Sequence, residues 1–264
     1  MPTEFAKTTE ITSTPGPLEA KQPQPERGRA PLTQHLDELR WRLWVVVAAV
    51  ALTSTASFAW AGRLIEWLKR PAGASLDRLA FFSPADGILA YMKVAVTAGL
   101  FLAMPVVLYQ LWAFVRPALT RQETRYGLAF VWWGSLLFLA GGVFAYAVLL
   151  PVSLPFLLEF GAEHFEPVIS VNRYLSFTVA VILACGVVFQ LPLVVFLLAK
   201  LGLVTPGTLR RQWRTAVLMM AVAAAMLTPT TDVATMLLLV VPMLALYELS
   251  IWLAGMATPR RTRR

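Results

Sequence analysis

Five stretches of this chain run without a single charged side chain: residues 43–62, 94–115, 126–158, 174–199 and 215–231. A sixth, residues 233–259, is interrupted only by Glu248. Their lengths are 20, 22, 33, 26, 17 and 27 residues. A helix needs about 20 apolar residues to cross the hydrocarbon core of a bilayer. Backbone polar groups inside lipid must also be satisfied within the segment, which leaves helices as the form for such runs. The pattern therefore predicts an all-α membrane protein, a bundle of six transmembrane helices. Pro151 and Pro155 mark the end of the long third run. The fifth run is short, and a brief Thr228-Pro229-Thr230-Thr231 turn separates it from the sixth. The reading is that helices five and six are both short and leave a concave wall.

The chain has a net charge of +8, which would suggest nucleic acid if the charges were clustered on a soluble face. They are not. Seventeen of the 23 lysines and arginines fall before the first run, between the second and third, between the fourth and fifth, or after the sixth. Six fall on the other side, among them Arg63, Lys69, Arg70 and Lys93. Such asymmetry sets topology, and it places both termini in the cytoplasm of a multi-pass protein. No nucleic-acid partner is expected.

Residues 1–31 are polar and carry six prolines, so they read as a disordered cytoplasmic extension and not as a cleavable signal peptide. Residues 32–257 form the membrane domain, and residues 258–264 a basic cytoplasmic tail. The first external loop, residues 63–87, holds Pro71, Gly73, Pro84 and Gly87 and is expected to be structured. Within it, Ser83-Pro84-Ala85-Asp86 has the form of a helix start, with Ser83 as N-cap and Pro84 as first helical residue. Thr205-Pro206 has the same form ahead of the fifth span.

Ionisable groups within a membrane are expensive and so are candidates for function. Here they are few: Glu248, with Lys93, Arg173 and Asp232 at span ends. A solute or ion permease, the alternative reading, would need several polar groups along one path. A membrane enzyme would need a nucleophile near His35 and Asp37, and none is adjacent. Neither a metal nor a cofactor is implied: Cys185 is the one cysteine, and His35 and His164 fall on opposite sides. The acids near the membrane on the cytoplasmic side, Asp37, Glu38 and Glu123, stand out. Spacing alone leaves two readings open. Glu38 could pair with Arg42 one turn on, and Thr120-Arg121-Gln122-Glu123 could be a capping box. Alternatively, both carboxylates could serve a ligand.

Five motifs occur in order. They are His35-Leu36-Asp37-Glu38-Leu39-Arg40-Trp41-Arg42-Leu43; the run from Pro105 through Tyr109-Gln110-Leu111-Trp112-Ala113-Phe114-Val115-Arg116-Pro117 to Leu119, then Glu123; Gly142-Val143-Phe144-Ala145-Tyr146 before Pro151; Gly186-Val187-Val188-Phe189-Gln190-Leu191-Pro192; and Thr228-Pro229-Thr230-Thr231-Asp232 before Pro242 and Tyr247-Glu248. Together they resemble the TatC family, the multi-spanning subunit of the twin-arginine protein translocase, from about Leu32 to Leu253.

The resemblance implies a receptor for twin-arginine signal peptides on folded cargo, at the core of a translocase in the bacterial inner membrane driven by the proton-motive force. It implies no enzymatic step. It implies single-span TatA-like and TatB-like partner subunits, the lipid bilayer, and a homo-oligomer within the receptor complex. Guanidinium forks bind carboxylates two-pronged, so a paired-arginine site should offer carboxylates. Glu38 and Glu123 match the family positions that do so, with Leu39, Arg40, Phe114 and Arg121 beside them. Pro71, Tyr146, Gln190 and Asp232 match scaffold or partner positions. Gln190 stands where many members carry a glutamate; it keeps hydrogen bonding but cannot ionise. A concave wall would turn Gln190 towards a partner helix.

Overall fold

The computed structural model describes residues 32–71, 79–119, 123–159, 168–227 and 233–257. The polar stretch 1–31, the basic tail 258–264, His164 and Asp232 lie outside the described residues. Helix α1, Leu32–Phe58, begins eleven residues before the first uncharged run, so the motif around Glu38 is itself helical. After a turn at Ala59 and Trp60 the chain forms α2, Ala61–Lys69, which lays Leu64, Ile65 and Leu68 against the core. A two-residue strand β1, Leu79–Ala80, follows.

Helix α3, Asp86–Val115, is the second span. It starts two residues later than the Ser83 pattern predicts. The acid still does what the motif requires: Asp86 Oδ2 accepts the N–H groups of Phe82 (3.0 Å) and Ser83 (3.1 Å), donors that would otherwise be orphaned. The third span comprises α4, Gly127–Phe144, a π-helical turn over Ala145–Leu149, and α5, Leu150–Glu159. Pro151 falls in the first turn of α5, and Pro155 lies within it without ending it.

Strand β2, Ile169–Ser170, pairs in parallel with β1, Leu79 opposite Ile169 and Ala80 opposite Ser170. The loops after the first and third spans are thereby joined at one end of the bundle. The fourth span is broken into α6, Val171–Val188, and α7, Leu191–Lys200. Pro192 lacks an N–H, so it is tolerated only in the first turn of the second piece, and the interruption falls at Phe189 and Gln190. Helix α8, Pro206–Arg211, opens as predicted: the Thr205 hydroxyl accepts the Thr208 N–H at 3.2 Å, with Pro206 at the first position.

Helix α9, Trp213–Leu227, has 15 residues and spans roughly 22 Å, less than the ~30 Å hydrocarbon core. Helix α10, Val233–Ala257, has 25 residues and is long enough to cross. Among the described residues the fifth helix is short and the sixth is not, so the expectation for the sixth is corrected. Glu248 interrupts the apolar run but not the helix, because it is exposed beside Arg210 and Pro206 near one end of the bundle. Among the described residues, five helical segments are long and apolar enough to cross a membrane: Leu36–Phe58, Asp86–Val115, Thr124–Phe156, Val171–Lys200 and Met236–Met256.

The buried side chains form two main clusters. One gathers Leu150, Leu175, Met220 and Leu239 from α5, α6, α9 and α10. The other gathers Leu108, Trp112, Phe130 and Leu193 from α3, α4 and α7. This second cluster supports the end of the bundle that carries Glu38.

Candidate functional site

Glu38 lies two turns into α1, with its side chain 35% exposed. One turn on, Arg42 closes on it: Nη2 reaches Glu38 Oε1 at 2.5 Å and Nε reaches the same oxygen at 3.1 Å. The remaining arm of the fork, Nη1, donates to Gln110 Oε1 on α3 at 3.2 Å. Arg42 thus ties the first span to the end of the second. Both bonds to Glu38 fall on Oε1, so the helical pair takes one carboxylate oxygen and leaves Oε2 outside it.

The register that brings Arg42 to Gln110 is set deeper in the membrane. A Cβ on Gly99 would fall 2.5 Å from both the backbone N and the Cα of Ser54, so α1 and α3 touch backbone to backbone there. Thr53 Oγ1 donates across the same contact to Gly99 O at 2.8 Å. Close approach through a small residue is how membrane helices gain packing where no hydrophobic driving force separates helix from lipid.

The third element of this end is the start of α4. The Trp112 indole lies over Gly127, where a Cβ would come within 2.3 Å of Nε1, and packs at a tilt against Phe130, with ring centroids 5.0 Å apart. That contact holds the 3-10 turn Glu123–Tyr126, headed by Glu123, against the end of α3. The carboxylate of Glu123 and all of Thr120, Arg121 and Gln122 lie outside the described residues, so the capping-box reading does too. Phe114 is half-buried one turn after Gln110. Leu39 and Arg40 are exposed, as are Arg116 and Arg125. The structure therefore gathers α1, α3 and the entrance to α4 at one end, with Glu38, Leu39, Arg40, Phe114 and the Glu123 backbone among them. Gln110 was not legible as a site residue; an uncharged glutamine in an apolar motif gives no sign that it holds an arginine.

The other predicted residues lie away from this end. Tyr146, in the π-helical turn, donates its hydroxyl to Trp67 O at 2.9 Å and stacks on that indole at 5.3 Å. Pro71 lies two residues past the end of α2, half-buried, four residues past Trp67. Both lie at the far end of the bundle from Glu38. Gln190 is only 8% exposed, at the interruption between α6 and α7. Its Nε2 donates to Gly134 O at 2.9 Å, while Oε1 is buried and unpaired. The expectation that Gln190 faces a partner helix is corrected: a helix interruption caused by Pro192 turns the side chain inward onto α4, whose Gly134 offers a bare carbonyl.

A second polar network lies at the far end. Lys93 Nζ donates to Asn172 Oδ1 and to Ser176 Oγ (2.6 Å), and Asn172 Nδ2 donates to Asp86 Oδ1 at 3.3 Å. The ammonium is held by neutral oxygens of α6 and linked through Asn172 to a buried carboxylate, which satisfies both charges where the medium is poor in water.

The family model for the Sec-independent protein translocase protein (TatC) matches residues 34–242. The chain is 38% identical to the Sec-independent protein translocase protein TatC of Koribacter versatilis, over 88% of this chain and 87% of that one. To the TatC protein of Aquifex aeolicus it is 36% identical, over 88% and 97%. A crystal structure of the twin arginine translocase receptor TatC superposes with a TM-score of 0.73 at 35% identity, covering 85% of this chain and all of that one. These likenesses favour the translocase reading over the permease alternative. The bundle, its motifs and its relatives agree that this multi-pass membrane protein belongs to the TatC family.

Proposed function

We propose that the end of the bundle carrying Glu38 and Glu123 faces the cytoplasm of a bacterium and binds the paired arginines of a signal peptide. Glu38 supplies the carboxylate of the first clamp and Glu123 that of the second. Leu39 and Phe114 offer apolar surface to the peptide, while Arg40 and Arg121 repel misplaced basic segments and steer orientation. The observation that carries this reading is the Arg42 guanidinium on Glu38: the chain's own arginine already uses two nitrogens on one oxygen of that carboxylate. An incoming arginine can take Oε2 or displace Arg42, which has Gln110 as a second partner. Both termini lie on the same side as this clamp, in keeping with the distribution of basic residues.

The chain then acts as the receptor and core of a translocase that moves folded cargo under the proton-motive force. Single-span TatA-like and TatB-like subunits join it, with further copies of the chain in the receptor complex. Asp232 and Pro71 serve the scaffold in this reading.

The test is binding of a twin-arginine peptide and its twin-lysine counterpart to the solubilised chain, with Glu38→Gln and Glu123→Gln alongside. Lysine keeps charge but loses the fork. Wild-type protein should prefer the arginine peptide by about tenfold or more, the worth of a charge-assisted hydrogen bond. Each variant should reduce that preference. Equal binding of both peptides, untouched by either change, would refute the clamp.

A further inference from the structure

Between α4, α7 and α10 lies an apolar slot of about 440 Å³. Ala129, Phe130, Trp133, Phe196 and Trp252 line it, with Tyr126 at the end of the bundle that carries Glu38. Trp133 and Trp252 are 58% and 63% exposed, so the slot opens on the lipid side. At the Tyr126 end stands Lys200, the last residue of α7. Its ammonium lies 5.8 Å from the Tyr126 ring and 5.9 Å from the Phe196 ring. Exposed Arg125 precedes Tyr126 in the chain, and exposed Arg210 lies in the adjoining groove, which shares Trp252.

We infer that this slot is a binding site for one anionic phospholipid, its acyl chain against the aromatic walls and its phosphate at Lys200. The walls are apolar, as a hydrocarbon chain requires. A bundle surface with an apolar groove running inward from basic side chains at the membrane boundary has the chemistry of an anionic headgroup site. The lysine stem can lie along the aromatic rings while its charge stays at the interface. A partner helix fits less well: one helical turn, ~10–12 Å across and 5.4 Å tall, would fill a slot of this size alone. The site lies on other helix faces than the Glu38 clamp and does not depend on it.

Native mass spectrometry of the full chain, extracted from bilayers of equal phosphatidylglycerol and phosphatidylcholine, tests this. Wild-type protein should retain phosphatidylglycerol over phosphatidylcholine by about tenfold. Lys200→Gln should bring the two near parity, and Lys200→Arg should restore the preference. Ala129→Phe, which fills the slot and keeps the cation, should lower retention of both lipids. Equal retention by the wild type would overturn the proposal, as would a preference that survives both Lys200→Gln and Ala129→Phe. So would displacement of the lipid by inorganic phosphate with no effect of Ala129→Phe, since that describes a surface cation without an acyl slot. If Ala129→Phe leaves lipid retention intact but abolishes capture of a single-span partner subunit, the slot belongs to a protein helix and the proposal fails. None of these readouts moves with Glu38 or Glu123, so the clamp and the lipid site stand or fall separately.

Discussion

Arg42 holds Glu38 by one carboxylate oxygen only, through Nε at 3.1 Å and Nη2 at 2.5 Å. In the proposed clamp, the chain's own guanidinium thus lies on the carboxylate that an arginine of the signal peptide would claim. An internal pair this exposed, 22% for Arg42 and 35% for Glu38, contributes about 0.2–1 kcal/mol. It can be displaced by a ligand that brings a second contact.

Arg42→Gln removes that competitor. The expected result is a gain of up to about fivefold in twin-arginine peptide affinity, the upper end of an exposed pair. Titration by fluorescence anisotropy at two salt concentrations checks it. A loss of affinity would mean that the Gln110 tether, not the freed carboxylate, dominates.

Gly99→Ala attacks the site from a distance. A methyl group there meets Ser54 Oγ at 2.3 Å and the Ser54 backbone at 2.5 Å, and the helical backbone cannot yield as a side chain can. Overpacking of this kind costs typically about 1–3 kcal/mol. The thermal midpoint in detergent should fall, and peptide binding should weaken with it because α1, which carries Glu38, is pushed off α3. Ala98→Gly, one residue away, serves as the comparison and should leave binding intact.

Gln190→Glu and Gln190→Leu separate hydrogen bonding from charge. Glutamate in its ionised form has no N–H for Gly134 O and buries a charge at a site 8% exposed. Leucine loses one bond of about 0.6 kcal/mol and also removes the unpaired Oε1. The glutamate variant should therefore have the lower unfolding midpoint at neutral pH, and should recover towards acid pH, where the carboxyl is neutral and can donate. A glutamate variant as stable as wild type across that range would show that the pocket admits water or a cation.

Cys185 is 1% exposed within the packed face of α6. A maleimide should label the folded protein slowly and the denatured protein fully. Rapid labelling of the native chain would mean that α6 separates from α4 in solution.

Much of this protein follows from the order of its side chains. Six apolar runs bounded by charge require membrane helices, because no other local structure satisfies the backbone in lipid. The Thr205-Pro206 start and the Glu38–Arg42 spacing are local features too, set within a few residues. The length of α10 is not legible from the brief proline-containing turn that separates its run from the short fifth one; the helix continues through Glu248, which faces out near the membrane edge.

Three relations could not be read along the chain, since each depends on where distant helices cross. Arg42 meets Gln110 because Gly99 lets α1 and α3 touch at Ser54. Gln190 turns inward because Pro192 interrupts the fourth span opposite the Gly134 carbonyl. The Lys200 ammonium reaches the Tyr126 ring because the fourth span ends beside the start of the third. The sequence by itself determined the membrane-spanning helices and the family, for those rest on hydrophobicity and on motifs read along the chain. Only the tertiary structure decided which polar side chains face each other, because close packing between helices, not spacing along one, sets those distances.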